Sequence, residues 1–85
     1  MMANMVNLTL FKKKDCHLCD VAKQKLLKLQ QEFPFSLTEI DIEDDKAAFE
    51  RYKYLIPVIE MEGEMVFKYR IDENELKKLL RSSLQ

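Results

Sequence analysis

The residues best equipped for chemistry are Cys16 and Cys19, the chain's two cysteines, held in the tetrapeptide Cys16-His17-Leu18-Cys19. An apolar run precedes them and a helical pattern follows, so they fall where a strand hands over to a helix. Thiols three residues apart across a helix's first turn lie on one side, near enough to form a disulfide with little backbone movement. The free N–H groups and positive dipole end of that helix stabilise an anion, so Cys16 is expected to ionise more readily than a free cysteine. Such a thiolate, with a second thiol three residues on, can attack a disulfide and then resolve the mixed disulfide itself.

Other readings of the pair explain less. Free cysteines are commonly buried as small apolar residues. That suits Cys19, which begins the helix's inner face, and suits Cys16 poorly beside Lys12, Lys13, Lys14 and Asp15. Structural zinc takes about four ligands. The chain offers two Cys and one His, with the His between the cysteines, so no metal site is expected. A staple across three residues closes almost no loop and constrains the unfolded chain little.

The surrounding elements must position this pair. Residues 5–11 alternate Val6, Leu8 and Leu10 with Asn7 and Thr9, while Met5 and Phe11 break the polar face, which predicts a strand partly covered on both sides. A helix is predicted over 16–32, with Leu18/Cys19, Val21/Ala22, Lys25/Leu26, Leu29 and Phe33 inward and Pro34 ending it. The strand predicted over 35–42 changes parity between Leu37 and Ile40, which suggests a bulge or a face exchange near Glu39. Asp44 and Asp45 can cap a short helix over 46–53, with Ala47, Ala48, Phe49 and Tyr52 inward. A strand over 56–61 begins at Ile56-Pro57, turns at Gly63, and pairs as a hairpin with 65–69. Asp72 and Glu75 have the spacing of a capping box for a last helix that runs to Arg81 and buries Leu76, Leu79 and Leu80; the residues beyond it are expected to fray.

The order β-α-β-α-β-β-α predicts an α/β fold, a four-stranded mixed sheet with helices on both faces. Eighty-five residues make one domain, 1–85, near the lower end of what a single core stabilises. Hydrophobic residues at 47% and charged residues at 34% exclude a disordered or membrane chain. A net charge of −1 gives no bulk attraction to nucleic acid or lipid. No apolar run approaches the length of a membrane span. Met1-Met2-Ala3-Asn4 shows no basic or apolar leader, so a cytoplasmic location is expected, where a C-x-x-C is more often catalytic than structural.

With these elements in this order, the sequence resembles the glutaredoxin-like family of the thioredoxin superfamily over about residues 5–82. The resemblance is carried by Cys16-His17-Leu18-Cys19-Asp20 after the first strand, Ile56-Pro57-Val58 before the third, Gly63 in the hairpin, and the closing helix. More narrowly, it is similar to short glutaredoxin-like proteins with a Cys-His-Leu-Cys-Asp site. The resemblance implies a thioredoxin-like fold, Cys16 as nucleophile, Cys19 as resolving thiol and Pro57 as a cis proline beside the disulfide. It further implies that the Ile56 backbone turns toward the site, where an extended substrate can pair with it. Glutathione-using glutaredoxins usually carry Tyr or Phe where Leu18 stands and Thr where Ile56 stands. They also tend to carry a Gly-Gly, which receives the γ-glutamyl end of glutathione, in the region of Lys68-Tyr69-Arg70-Ile71-Asp72. The larger residues here predict weak glutathione binding.

Residues 12–28 hold six lysines against Asp15 and Asp20. Lys12, Lys13 and Lys14 adjoin the helix start, where positive charge would lower the Cys16 pKa and draw anionic partners. Lys23 and Lys28 read as a solvated face, and His17 as an outward neighbour of the nucleophile. The expected function is a cytoplasmic thiol–disulfide oxidoreductase contributing to cell redox homeostasis. Cys16 and Cys19 are its catalytic residues, and Pro57, Ile56, Lys13, Lys14, His17 and Leu18 its substrate contacts. Expected partners are disulfide-containing proteins or glutathione adducts, with glutathione or a flavin reductase system as electron donor. No bound cofactor, nucleic-acid or membrane partner is expected, and the chain is expected to be a monomer. Two alternatives stay open: a non-catalytic binding module or redox sensor whose groove near Pro57 docks a strand, and a glutathione-dependent iron–sulfur carrier, which the second thiol disfavours.

Overall fold

The computed structural model describes residues 5–83, in which β1 (Val6–Lys12) lies inside a four-stranded sheet of order β2-β1-β3-β4. The other elements are α1 (His17–Gln30), β2 (Phe35–Asp41), a 3₁₀ turn (Ile42–Asp44), α2 (Lys46–Tyr52), β3 (Val58–Met61), β4 (Glu64–Lys68) and α3 (Glu73–Ser83). β1 pairs with β2 in parallel, from Val6 opposite Phe35 to Lys12 opposite Asp41. It pairs with β3 in antiparallel, from Leu8 opposite Met61 to Phe11 opposite Val58. The connection through α1 is what parallel pairing of β1 and β2 demands, since a tight turn cannot join parallel strands.

Two clusters of buried side chains cover the sheet. Val6, Leu8 and Leu10 of β1 pack with Ile59 and Met61 of β3, Ala22, Leu26 and Leu29 of α1, and Leu76 and Leu80 of α3. Phe11 and Val58 pack in a second cluster with Ile42, Ala48 and Tyr52. This explains the interrupted pattern of β1: Phe11 has the opposite parity to Leu8 and Leu10 because it meets α2 instead of α1.

The same two-sidedness settles the parity change in β2. The β1–β2 register runs unbroken through Glu39, so no bulge lies there. Leu37 packs against the first cluster and Ile40 against the second, which is the face exchange without a bulge. The irregularity in the sheet sits instead between Ile59 and Glu60, where β3 faces β4.

Several boundaries differ from the sequence reading. Helix α1 begins at His17, because Cys16 has extended backbone angles and caps it, and it ends at Gln30. Ile42 belongs to the 3₁₀ turn, α2 ends at Tyr52, β3 starts only at Val58, and α3 continues to Ser83. Of the residues expected to fray, Ser82 and Ser83 continue α3, while 84–85 and the reading of 1–4 fall outside the described residues. The inner stripes are narrower than predicted: Leu18, Val21, Phe49 and Leu79 are all exposed. Asp45 accepts from the Ala48 N–H at 3.0 Å and Asp72 from the Glu75 N–H at 3.1 Å, so both aspartates act as helix caps.

The α2 face holds one charged group that the apolar pattern conceals. Glu60 of β3 is buried, accepts a hydrogen bond from the Tyr52 hydroxyl, and lies 3.9 Å from Arg51 Nη1. Burial first, and then the bond to Glu60, raises Tyr52 above its ordinary pKa of 10.0. A tyrosine whose folded pKa is raised adds stability that is present below the unfolded value and lost as pH rises through the folded one. Tyr52→Phe should therefore cost about 1.5–3 kcal/mol near neutral pH, by leaving Glu60 without its donor. Denaturant titrations above about pH 10 should show the wild type losing stability more steeply than the variant.

Candidate active site

The chain leaves β1 at Lys12, passes Lys13 and Lys14, and turns at Asp15, whose φ of 56° lies in the left-handed region. Aspartate is one of the few side-chain-bearing residues that occupy this region readily. The turn delivers Cys16 to the head of α1 with φ −116° and ψ 102°. There the Cys16 carbonyl accepts from the Asp20 N–H at 3.1 Å, and its Sγ accepts from the Cys19 N–H at 3.2 Å. Cys16 is thus the N-cap, with sulfur in the role that the oxygen of Ser or Asp takes elsewhere. The donor that satisfies the helix end is also one that can hold charge on that sulfur.

Cys16 and Cys19 are joined as a disulfide, with Cα atoms 5.2 Å apart. The pair is asymmetric. Cys16 is half-buried, whereas Cys19 is 1% exposed and lies on the buried side of α1 with Ala22 and Leu26. His17 and Leu18 between them face solvent, Leu18 at 53% exposure.

The register between β1 and β3 ends with Phe11 opposite Val58, so Pro57 lies at the same sheet end as Lys12 and the loop that leads to Cys16. The Ile56-Pro57 peptide bond is cis, and Pro57 is fully buried. The half-buried Ile56 side chain packs on the α2-side cluster. Sequence reasoning missed Tyr69, whose N–H donates to the carbonyls of Pro57 at 2.8 Å and Leu55 at 3.1 Å. Its φ of 70° is unusual for a residue with a side chain, and its ring is 48% exposed.

The lysines divide differently from the sequence reading. Lys13 and Lys14 are exposed and make no ion pair among the described residues. Lys12 instead donates to Glu39 at 2.8 Å, and Lys23, expected to be solvated, lies 3.3 Å from the same carboxylate. The bond to Glu39 raises the Lys12 pKa, and the bond from Lys12 is the main cause that lowers Glu39. Glu39 gave one signal in the sequence, since it sits where the alternation of β2 breaks.

A disulfide at the head of the helix that follows the strand between β2 and β3, in a sheet of this order, is the arrangement of thioredoxin-like α/β proteins. Comparison with known proteins narrows the class. The glutaredoxin-like domain family (DUF836) matches residues 7–81, and the chain belongs to that family. A glutaredoxin-like protein from Dictyostelium discoideum, the YDR286C homolog, is 35% identical over 77 residues, covering 84% of this chain and 71% of its own. The fold is shared with protein Ne2328 from Nitrosomonas europaea, at a TM-score of 0.81, 23% identity, and coverage of 94% of this chain and 96% of that one. It is shared also with a mutant thioredoxin from Halobacterium salinarum, at a TM-score of 0.70, 25% identity, and coverage of 96% and 77%.

The asymmetry of the pair has a direct consequence. Limited alkylation of the reduced protein near neutral pH, followed by peptide mapping, should modify Cys16 well before Cys19. Preferential labelling of Cys19 would reverse the roles.

Proposed function

We propose that this protein is a thiol–disulfide oxidoreductase that reduces disulfides of proteins, and mixed disulfides with glutathione, in a reducing compartment such as the cytoplasm. The observation that carries the reading is the Cys19 N–H held 3.2 Å from Cys16 Sγ at the head of α1, with Cys19 itself buried. In the reduced protein that donor and the helix dipole favour the Cys16 thiolate. The thiolate attacks one sulfur of the substrate disulfide, and the other leaves as a thiolate that takes a proton. Cys19, as thiolate, then attacks Cys16 Sγ. The second substrate sulfur leaves, and the Cys16–Cys19 disulfide seen here is formed. Two electrons have passed to the substrate. They return from two equivalents of a small thiol such as glutathione, or from a reductase dithiol. Among the described residues no helix is long and apolar enough to cross a membrane.

In this reading Pro57 and the backbone of Ile56 border the substrate, His17 and Leu18 flank the reacting sulfur, and Lys13 and Lys14 supply uncompensated positive charge nearby. A protein disulfide fits this border better than free glutathione. The Tyr69 backbone adjoins Pro57 and carries a large exposed side chain where a small ligand would need close backbone approach, and Leu18 offers an exposed apolar contact.

The experiment is reduction of a disulfide-bonded peptide with a thiol or reductase as electron donor. Cys16→Ser should abolish turnover. Cys19→Ser should accumulate a mixed disulfide on Cys16, visible by mass under non-reducing conditions. A wild-type protein that cycles between disulfide and dithiol without turning over any substrate would mark a redox-sensing binding module instead.

Glutathione adducts should be reduced less efficiently than peptide disulfides, with no saturation by glutathione below millimolar levels. Tyr69→Gly should improve reduction of the glutathione adduct and change stability by less than about 1 kcal/mol, because glycine relieves the positive φ while loosening the unfolded chain. Steady-state assays with both substrates and an unfolding titration read the two effects separately.

A further inference from the structure

Glu39 stands on β2 opposite Leu10, and each of its oxygens meets a lysine from a different element. Oε1 lies 2.8 Å from Nζ of Lys12, the last residue of β1, and Oε2 lies 3.3 Å from Nζ of Lys23, on the second turn of α1. These are the two elements whose junction carries Cys16. The three side chains are between 29% and 37% exposed, so water only partly screens their charges. Asp20 and Asp41 also face Lys12, and Asp20 lies on the first turn of α1 next to Cys19. The ammonium of Lys12 therefore sits within electrostatic reach of the helix head. The hydrogen bond from Lys12 keeps Glu39 ionised, and the bond to Glu39 keeps Lys12 charged. The Lys12–Glu39 pair thus stays doubly ionised through the range in which a thiol ionises, and Glu39 offsets charge that Lys12 and Lys23 would otherwise present.

We propose that the Lys12–Glu39–Lys23 cluster sets the reactivity of Cys16, with Glu39 as the positioning residue that fixes two lysines beside the helix head and offsets half of their charge. The proposal rests on the reading of Cys16 as the nucleophile. It makes Glu39 a brake: the carboxylate holds the lysines in place and keeps the thiolate from becoming too stable. An over-stabilised thiolate is a weaker nucleophile and a better leaving group, so the balance fixes both the rate of attack and the redox equilibrium.

Lys13, Lys14, Asp15, His17 and Asp20 flank Cys16 in the sequence and Asp41 faces Lys12, and all are unchanged in every variant below. The rate of Cys16 alkylation by a neutral reagent, followed by peptide mapping across acidic to alkaline pH, gives the apparent thiol pKa. Glu39→Gln should lower it by roughly half a unit, and Lys12→Met should raise it by a similar amount. Lys23→Met should also raise it, and the double variant Lys12→Met/Glu39→Gln should return close to wild type. The shifts should shrink in high salt. Glu75→Gln, which breaks the Glu75–Lys78 pair on α3, should change nothing.

Opposite signs are the decisive result. A merely structural tie, broken from either end, would loosen the same loop and shift the thiol in one direction only. Shifts of the same sign, or none in variants whose unfolding midpoints show them folded, overturn the proposal. The alkylation profile needs no turnover, so its failure is separate from failure of the oxidoreductase reading. An inactive protein with opposite shifts would refute that reading alone, and an active one without them would refute only the role of Glu39.

Discussion

Burial of one face of β1 along Val6, Leu8 and Leu10, and of Phe11 on the other, is the constraint from which the rest follows. The strand is hydrogen-bonded to β2 along one edge and to β3 along the other, with Leu8 and Leu10 fully buried against α1 and α3 and Phe11 against α2. A strand so enclosed cannot slip by one residue without exchanging its apolar faces, so its register is fixed. Its C-terminal end is fixed with it. The turn at Lys13–Asp15 therefore leaves from a fixed point and delivers Cys16 to the head of α1, where its carbonyl and sulfur cap the helix. Burial of Ala22, Leu26 and Leu29 holds the helix, and the helix holds Cys19.

This makes the pair asymmetric by construction. Cys19 is on the buried side of an amphipathic helix, so Cys16 is the sulfur open to solvent. Cys16 is a cap and sits outside the helix, half-open to solvent. One backbone donor links them, and it serves two ends at once: it satisfies an orphan N–H of α1 and places a partial positive charge on the sulfur that has to become an anion.

Much of the fold was legible because its signals are local and periodic. The helical stripe of α1, the capping aspartates, and the glycine turn at Gly63, whose φ is 85°, each declare an element within a few residues. The order of elements then left few topologies. What stayed hidden depends on partners distant in sequence. Ile40 and Leu37 look like a bulge until two separate clusters are seen to claim them. Glu60 reads as the polar member of an alternating strand, yet it is buried because Tyr52, eight residues away, supplies a donor. Lys12 reads as part of a basic loop, yet its charge is balanced by Glu39 across the β1–β2 pair, 27 residues on. Charge counts along a chain show how many ions a segment holds and nothing of which ones are already paired. For the candidate site, the Cys16–Cys19 disulfide matches the expectation from spacing and the cis bond before Pro57 matches what the resemblance implied, whereas the contacts of Tyr69 and Glu39 needed the folded chain.

The electrostatics of Cys16 separate into two parts of different character. The contact with the Cys19 N–H is short, directional and built into backbone that any sequence with this helix would share, so salt and surface substitution leave it largely untouched. The side-chain part is longer in range, partly screened, and carried by side chains that take no part in the backbone pairing of β1 with β2. A fold can therefore keep its thiol chemistry constant through the backbone contact while reactivity is adjusted through a few charged surface residues. Among those residues the paired Lys12 and Lys23 differ from the exposed Lys13 and Lys14. Glu39 pairs with the first two, and the second two make no ion pair among the described residues.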